Sequence, residues 1–322
     1  MPDNSSNPSA KRPKRALVLS GGGGRGAYEV GVAAACRERN FDFDWIIGTS
    51  IGAINATLIA QDDLHVLQDI WCRLQSQDVY RLPNPNHLRR VVFGQKLGLL
   101  NTDPLEALLR KHVNIERLKR SATGVGFLTT DLCSLETRLI TADDIHTDEE
   151  LVDVLMAASA VPLLFPPRHL GGEGCWIDGG LVRNTPIQAA IGLGVSEIYA
   201  VLVDPDSFLD CPGSLVQLVS RLLEIILDHS ARSGIAHVNQ YNRSLELSVQ
   251  NGARDWCVIG DSPAMTAGAD EDSGASRPGR VQLFIIKPRN QIVGSLLEFE
   301  PANSRWLIRR GYEDTVQSCV AV

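Results

Sequence analysis

The chain has 322 residues, 44% hydrophobic and 21% charged, with a formal net charge of −7. That composition excludes a disordered or fibrous protein, leaves enough residues for a large buried core, and predicts an ordinary globular domain. Lys11, Arg12, Lys14 and Arg15 face only Asp3 among the first fifteen residues, so the body is more acidic than the total, which argues against a nucleic-acid-binding body, since that needs a basic face.

Residues 1–14 are polar and contain prolines, and read as a disordered tail. Ala16–Leu19 is a short apolar run entering a glycine-rich turn, as a buried parallel strand does. Ala27–Arg39 predicts a helix, Phe43–Ile47 a second strand and Ile51–Ala60 a second helix. Strand, glycine turn and helix thus recur twice in sixty residues, the rhythm of a parallel α/β sheet. A helix over Leu64–Leu74, a loop at Leu82–His87 and a helix from Pro104 follow, the last opened by Thr102 as a capping side chain. Gly124–Thr130 and Thr137–Thr141 predict strands, and Leu151–Ser159 a helix stopped by Pro162, Pro166 and Pro167. Trp176 and Ile177 lead into Asp178-Gly179-Gly180; Asn184-Thr185-Pro186 opens a helix; Ile198–Val203 is a strand. Ser214–Asn239 is a long helix, apolar over most of its circumference between 214 and 227, which predicts a buried core helix. Gly260–Gly279 is rich in Gly, Ser, Ala and Asp and reads as a mobile insertion. Val281–Ile286 is a last strand and Ser304–Gly311 begins a closing helix. No domain linker interrupts the chain.

The seven cysteines, Cys36, Cys72, Cys133, Cys175, Cys211, Cys257 and Cys319, include no C-x-x-C pair. Their odd number and scatter predict free thiols in a reducing compartment, with no metal site. No run of eighteen apolar residues and no signal-peptide core is present, so a cytoplasmic protein without a spanning helix is expected.

Two glycine motifs carry the chemistry. Gly21 to Gly26, with Arg25 as its one side chain, satisfies G-x-G-x-x-G between a strand and a helix, and Asp42 or Asp44 follows about where a ribose ligand would. A dinucleotide-binding reading is therefore open on this loop alone. Gly48-Thr49-Ser50-Ile51-Gly52 is G-x-S-x-G between the next strand and helix, the pattern of a serine nucleophile on a sharp turn whose neighbours must be small. Ser50 would sit at a helix N-terminus, where the dipole favours developing negative charge. As a plain N-cap it would be inert. An acyl-transfer serine needs a base and an oxyanion hole; the glycine loop offers the second. For the base, a Ser-Asp-His order could use Asp178 or Asp204 with His229 or His237, but both histidines fall on the long helix. Asp178 itself stands at a strand end with two glycines after it.

The conjunction of Gly-Gly-Gly-x-Arg-Gly, Gly-x-Ser-x-Gly and Asp-Gly-Gly in this order resembles the patatin-like phospholipases. So do the stretch from Ala157 to Ala200 and the closing Arg305–Thr315; the resemblance runs from about residue 15 to 320. It implies a three-layer α/β/α sandwich with a central, mainly parallel sheet, over a single domain spanning 15–322. It implies a Ser-Asp dyad without histidine: Ser50 as nucleophile and Asp178 as general base. Backbone amides around Gly22, Gly23, Gly24 and Arg25 would form the oxyanion hole, supported by Gly21, Gly26, Gly48, Gly52, Gly179 and Gly180. It further implies hydrolysis of the acyl esters of phospholipids, lysophospholipids or neutral lipids without a cofactor. A bilayer lipid would be met at a membrane surface, and a homo-oligomer is left open. Competing readings are a triad esterase, a dinucleotide-binding protein and a non-catalytic lipid-binding protein on the same fold. Arg81–Leu100 mixes Arg89, Arg90 and Lys96 with Val91, Val92, Phe93, Leu97, Leu99 and Leu100. It reads as a loop and short helix packed on the core, with an interfacial or acyl-binding segment as the alternative.

Overall fold

The computed structural model describes residues 12–94, 96–203, 211–213, 215–250, 279–289 and 296–319. Most of the expected tail, all of the expected insertion except Gly279, and the candidates Asp204 and Cys257 lie outside these residues. Strand β1 (Arg15–Leu19) enters the glycine loop, whose second half (Gly23–Gly26) is a 3-10 turn leading to α1 (Ala27–Glu38). Strand β2 (Trp45–Thr49) turns directly into α2 (Ile51–Ala60). Helices α3 (Leu64–Trp71), α4 (Ser76–Val79), α5 (Pro85–Val92), α6 (Asp103–His112) and α7 (Ile115–Arg120) come next. Strands β3 (Gly124–Asp131) and β4 (Thr137–Thr141) precede α8 (Asp148–Ala158) and the hairpin β5 (Arg168–Leu170) and β6 (Glu173–Asp178). The chain closes through α9 (Gly180–Arg183), α10 (Ile187–Gly192), β7 (Glu197–Val201), α11 (Leu215–Gln250), β8 (Gln282–Ile286) and α12 (Pro301–Cys319).

The eight strands form one sheet in which β8, β7, β1, β2 and β3 run parallel. Alternation puts successive strand residues on opposite faces. Leu17, Leu19, Ile46, Val125, Phe127 and Val201 join the core under α1, α2, α3, α6 and α8. Ala16, Val18, Ile47, Leu128, Ile198 and Ala200 join the core under α10 and the later part of α11. Both faces are covered, as a parallel sheet requires, and the architecture is a three-layer α/β/α sandwich.

One pairing positions the site. Leu128 of β3 pairs with Leu139 of β4 and with Thr49 of β2, and Thr129 pairs with Arg138 of β4 and with Asp178 of β6. Since β4 occupies one edge of β3 from Gly126 to Thr130, β2 and β6 share the other. β2 runs up that edge to Thr49 and antiparallel β6 runs down it to Asp178, so their C-terminal ends meet head to head.

The structure corrects several expectations. β2 begins two residues later than expected, because the parallel register with β1 pairs Trp45 with Ala16 and leaves Phe43 in an edge-to-face cluster with Phe41 and Tyr199. Thr102 makes no capping hydrogen bond; instead the Asp103 N–H donates to Asn101 Oδ1 at 2.8 Å. Leu82–His87 is not all loop: Asn84 accepts from the His87 N–H and Pro85 starts α5. α5 buries no residue, so the short helix is not packed on the core, whereas Leu100 and, in part, Leu99 at the end of the segment are. α11 is not a buried core helix either. Leu223, Glu224, Leu227, Ala231 and Val238 are buried along one stripe, whereas Leu218, Leu222, Ile225 and Ile226 are exposed.

The β2–α2 turn tolerates no side chain at Gly48, where a Cβ would lie 2.2 Å from the Gly52 carbonyl oxygen. Gly48→Ala is expected to cost about 3 kcal/mol, the upper part of the overpacking range, as read by urea denaturation.

Candidate active site

Ser50 is the pivot between β2 and α2. Its backbone is held at φ 55 and ψ −129, a region that non-glycine residues rarely occupy and that costs about 1–3 kcal/mol. It stands at the N-cap of α2 yet makes no capping hydrogen bond, so the inert N-cap role is not the one adopted. The strained turn lifts the side chain off the sheet at the positive end of the α2 dipole. Ser50 remains 8% exposed, among residues that are mostly sealed.

Asp178, 2% exposed, ends β6 beside it. Burial pushes its carboxyl up from the usual 3.8 to about 7. Two groups oppose that shift by favouring the ionised form: the Ser50 hydroxyl, facing the carboxylate, and the Gly180 N–H, 2.8 Å from Oδ1. No histidine is among these partners. His229 and His237 lie on α11, where burial and Arg183 lower the His237 pKa. The Rossmann-type acid is misplaced too. Asp44 lies before the start of β2, at the opposite end of the sheet from the glycine loop, and it binds the Arg12 guanidinium at 2.8 and 2.9 Å and the Arg15 N–H at 2.8 Å.

The glycine loop passes directly over Ser50: a Cβ on Gly21 would lie 3.0 Å from the Ser50 Cβ. Its amides are not equivalent. Gly21 N–H donates to Asn184, Gly24 N–H to the Leu296 carbonyl at 3.2 Å, and Arg25 N–H to the Gly22 carbonyl at 3.2 Å. Gly22 and Gly23 have no such acceptor among the described residues. Gly23 takes φ +56 and faces the cavity beside Ser50.

That cavity runs from Ser50 along α2, past Ile54, Asn55 and Leu58, between α3 and α6. Its walls include Leu67, Ile70, Trp71, Leu74, Leu105, Leu108, Leu164, Phe165, Leu227 and Phe299. The distance from Ile51 to Leu58 along the helix is about 10 Å. No Asp, Glu, Lys or Arg lines it, and burial lowers the pKa of its one histidine, His112. Such a cavity suits an apolar chain and offers no counter-charge to a phosphate.

Three supporting residues escape motif reading. Asn184, fully buried, accepts the Gly21 N–H at 3.0 Å and donates to the Gly21 carbonyl at 3.3 Å, tying the glycine loop to the turn after Asp178. Asn55, also fully buried, donates to the Gly26 carbonyl at 3.0 Å and to Glu29 at 2.8 Å and accepts from Trp71 at 3.0 Å. Glu224 on α11 forms a buried ion pair with Arg25 at 3.3 Å; burial raises its carboxyl while Arg25 and Arg221 hold it down. A polar residue in an otherwise apolar stretch was the available signal for Asn55 and Glu224. Nothing in the local sequence signals the contact of Asn184 with Gly21, 163 residues away.

Residues 17–191, more than half the chain, match the family described as patatin-like phospholipase. An uncharacterised NTE family protein of Mycobacterium tuberculosis is 26% identical over 193 residues, 59% of this chain and 49% of that one. The patatin-like phospholipase domain-containing protein 7 of Rattus norvegicus is 26% identical over 58% of this chain and 13% of its own length. The lysophospholipase nte1 of Aspergillus terreus is 54% identical over 195 residues, 58% of this chain and 12% of its own. The chain therefore spans half or less of the length of these relatives. VipD from Legionella pneumophila aligns with TM-score 0.42 at 12% identity, over 97% of this chain and 68% of that one. The match over the strands and turns that build the site decides the family: this chain belongs to the patatin-like phospholipases.

Proposed function

We propose that residues 15–322 form a single serine hydrolase domain that cleaves the acyl esters of phospholipids or lysophospholipids, with Ser50 as nucleophile and Asp178 as base. The observation that carries this reading is a strained, uncapped serine facing a buried carboxyl at the head of an apolar cavity. The family and its lysophospholipase relative point the same way.

In this scheme the acyl chain lies along α2 and its ester carbonyl meets Ser50. Ser50 Oγ attacks the carbonyl carbon as its proton passes to the Asp178 carboxylate. The new oxyanion takes the Gly22 and Gly23 N–H groups, whose lack of internal acceptors leaves them poised for it; Gly24 and Arg25, with their amides already engaged, hold the loop in shape. One such donor is typically worth about 2.7–4 kcal/mol of transition-state stabilisation. Collapse expels the alcohol, which takes the proton from Asp178. Water then attacks the acyl-enzyme with the same aspartate as base, and Ser50 is released. An ordinary aspartate is too weak a base near neutrality; one raised to about 7 is matched to the task. The headgroup stays outside the uncharged cavity. The scheme calls for no cofactor. Among the described residues no helix is long and apolar enough to cross a membrane, and substrate is met at a membrane surface.

Ser50→Ala and Asp178→Asn are each expected to lower kcat/KM on short-chain chromogenic esters by at least ~10³-fold with the fold intact by circular dichroism. Wild-type kcat/KM should rise with pH through about 7, since only the ionised carboxylate accepts the proton. Asp178 also sets a pH dependence of stability. A carboxyl raised from 3.8 to about 7 favours the native state fully below 3.8, and this contribution is lost as pH rises through 7. Asp178→Asn should therefore melt above wild type at pH 8, the gain shrinking toward pH 4. Leu58→Phe, at the far end of the cavity, should reduce hydrolysis of long-chain esters several-fold more than that of butyrate esters.

A further inference from the structure

The segment between α4 and α6 differs from the rest of the chain in charge. Arg81, Arg89, Arg90 and Lys96 fall within residues 79–102, which hold no aspartate or glutamate, in a chain of net charge −7. None of the four has a carboxylate partner among the described residues. It differs equally in burial. Val92 is 73% exposed, Phe93 69% and Leu97 65%. An eight-residue helix is too short to be stable on its own, and most helices are held by burying one face. α5 has the cap and the first-turn proline but buries nothing. Its apolar side chains and its cations are presented together, without a partner in the fold.

The base of this segment is fixed to the cavity wall. Arg81 and Asn101 exchange backbone hydrogen bonds at 2.8 and 3.1 Å, His87 bonds the Gly98 carbonyl at 2.9 Å, and the Leu100 N–H donates to the Leu164 carbonyl at 2.8 Å. Leu164 and its neighbour Phe165 line the cavity that starts at Ser50. Whatever α5 rests on is thereby held beside the wall of the cavity.

We propose that α5, with Phe93 and Leu97 after it, is the surface by which the protein docks on an anionic lipid bilayer. Val92, Phe93 and Leu97 enter the boundary between headgroups and acyl chains while Arg89, Arg90 and Lys96 meet lipid phosphates. The pairing of cations with exposed apolar residues matches an anionic bilayer, whereas the same segment of a second copy would set cation against cation. The inference deepens the proposed lipid hydrolysis by assigning its membrane contact, but docking is read without turnover.

The test is flotation of the Ser50→Ala protein with vesicles of phosphatidylcholine alone or with one-quarter phosphatidylglycerol. Binding is expected to the anionic vesicles, to be weakened by salt, and to fall roughly 30-fold in an added Arg89→Gln/Arg90→Gln pair. An added Val92→Ser/Phe93→Ser pair should fall at least tenfold. In the otherwise wild-type chain, both pairs should leave p-nitrophenyl butyrate hydrolysis unchanged, which shows that they fold. Phe93→Trp should shift its emission to the blue on anionic vesicles only. Equal binding to both vesicle types, binding unchanged by either pair, or a dimer dissolved by the serine pair in a protein that ignores vesicles would each overturn the proposal. Loss of esterase activity with vesicle binding intact would count against the proposed function alone.

Discussion

The site depends on one shared edge. β3 carries β4 along one side, and on the other it divides its length between parallel β2 and antiparallel β6. Pairing register is a discrete quantity: a one-residue slip would send every side chain to the opposite face. Because Thr49 and Asp178 pair with consecutive residues of β3, the serine after β2 and the aspartate ending β6 face each other by necessity. Antiparallel β6 is essential to this. A parallel strand on the same stretch of β3 would begin beside Ser50 and carry its C-terminal residue away from it.

That arrangement is costly, and the cost is tied to the chemistry. Ser50 is strained, and Asp178 is buried with few donors, so its charged form is disfavoured. Both features destabilise the fold and both prepare the proposed reaction. The offset comes from packed polar contacts nearby. Asn184 clamps Gly21, Asn55 ties the end of the glycine turn to α1 and α3, and Glu224 neutralises the fully buried Arg25. Removing Glu224 would leave the buried Arg25 charge uncompensated, and removing either asparagine would leave buried backbone groups of the loop without partners, so these residues hold the loop by the penalty of their absence as much as by their bonds.

Much of this was legible from local pattern. Apolar runs ending in glycine marked β1 and β2, and the glycines after Asp178 marked a strand end. Glycines at 48 and 52 foretold a tight strand-to-helix crossing. What was not legible was set by distant partners. The β5–β6 hairpin has only three to six residues per strand and lacks a clean alternation, and its direction follows from the free stretch of β3. The differences among the loop amides depend on Leu296 and Asn184, far away in sequence. The 214–227 stretch looked buried because it is apolar nearly all round. Among the described residues the fold covers the stripe that holds Ser220, Leu223, Glu224 and Leu227. Composition alone could not separate a covered helix from one with apolar residues left in the open.

The most direct measurement of the central claim is covalent labelling with a fluorophosphonate, followed by mass spectrometry of the labelled peptide. Stoichiometric label on Ser50 in the wild type, greatly slowed labelling in Asp178→Asn and none in Ser50→Ala is the outcome that a Ser50–Asp178 pair predicts. Ester hydrolysis that proceeds with Ser50 unlabelled, or labelling of Ser50 at an undiminished rate in Asp178→Asn, would contradict it.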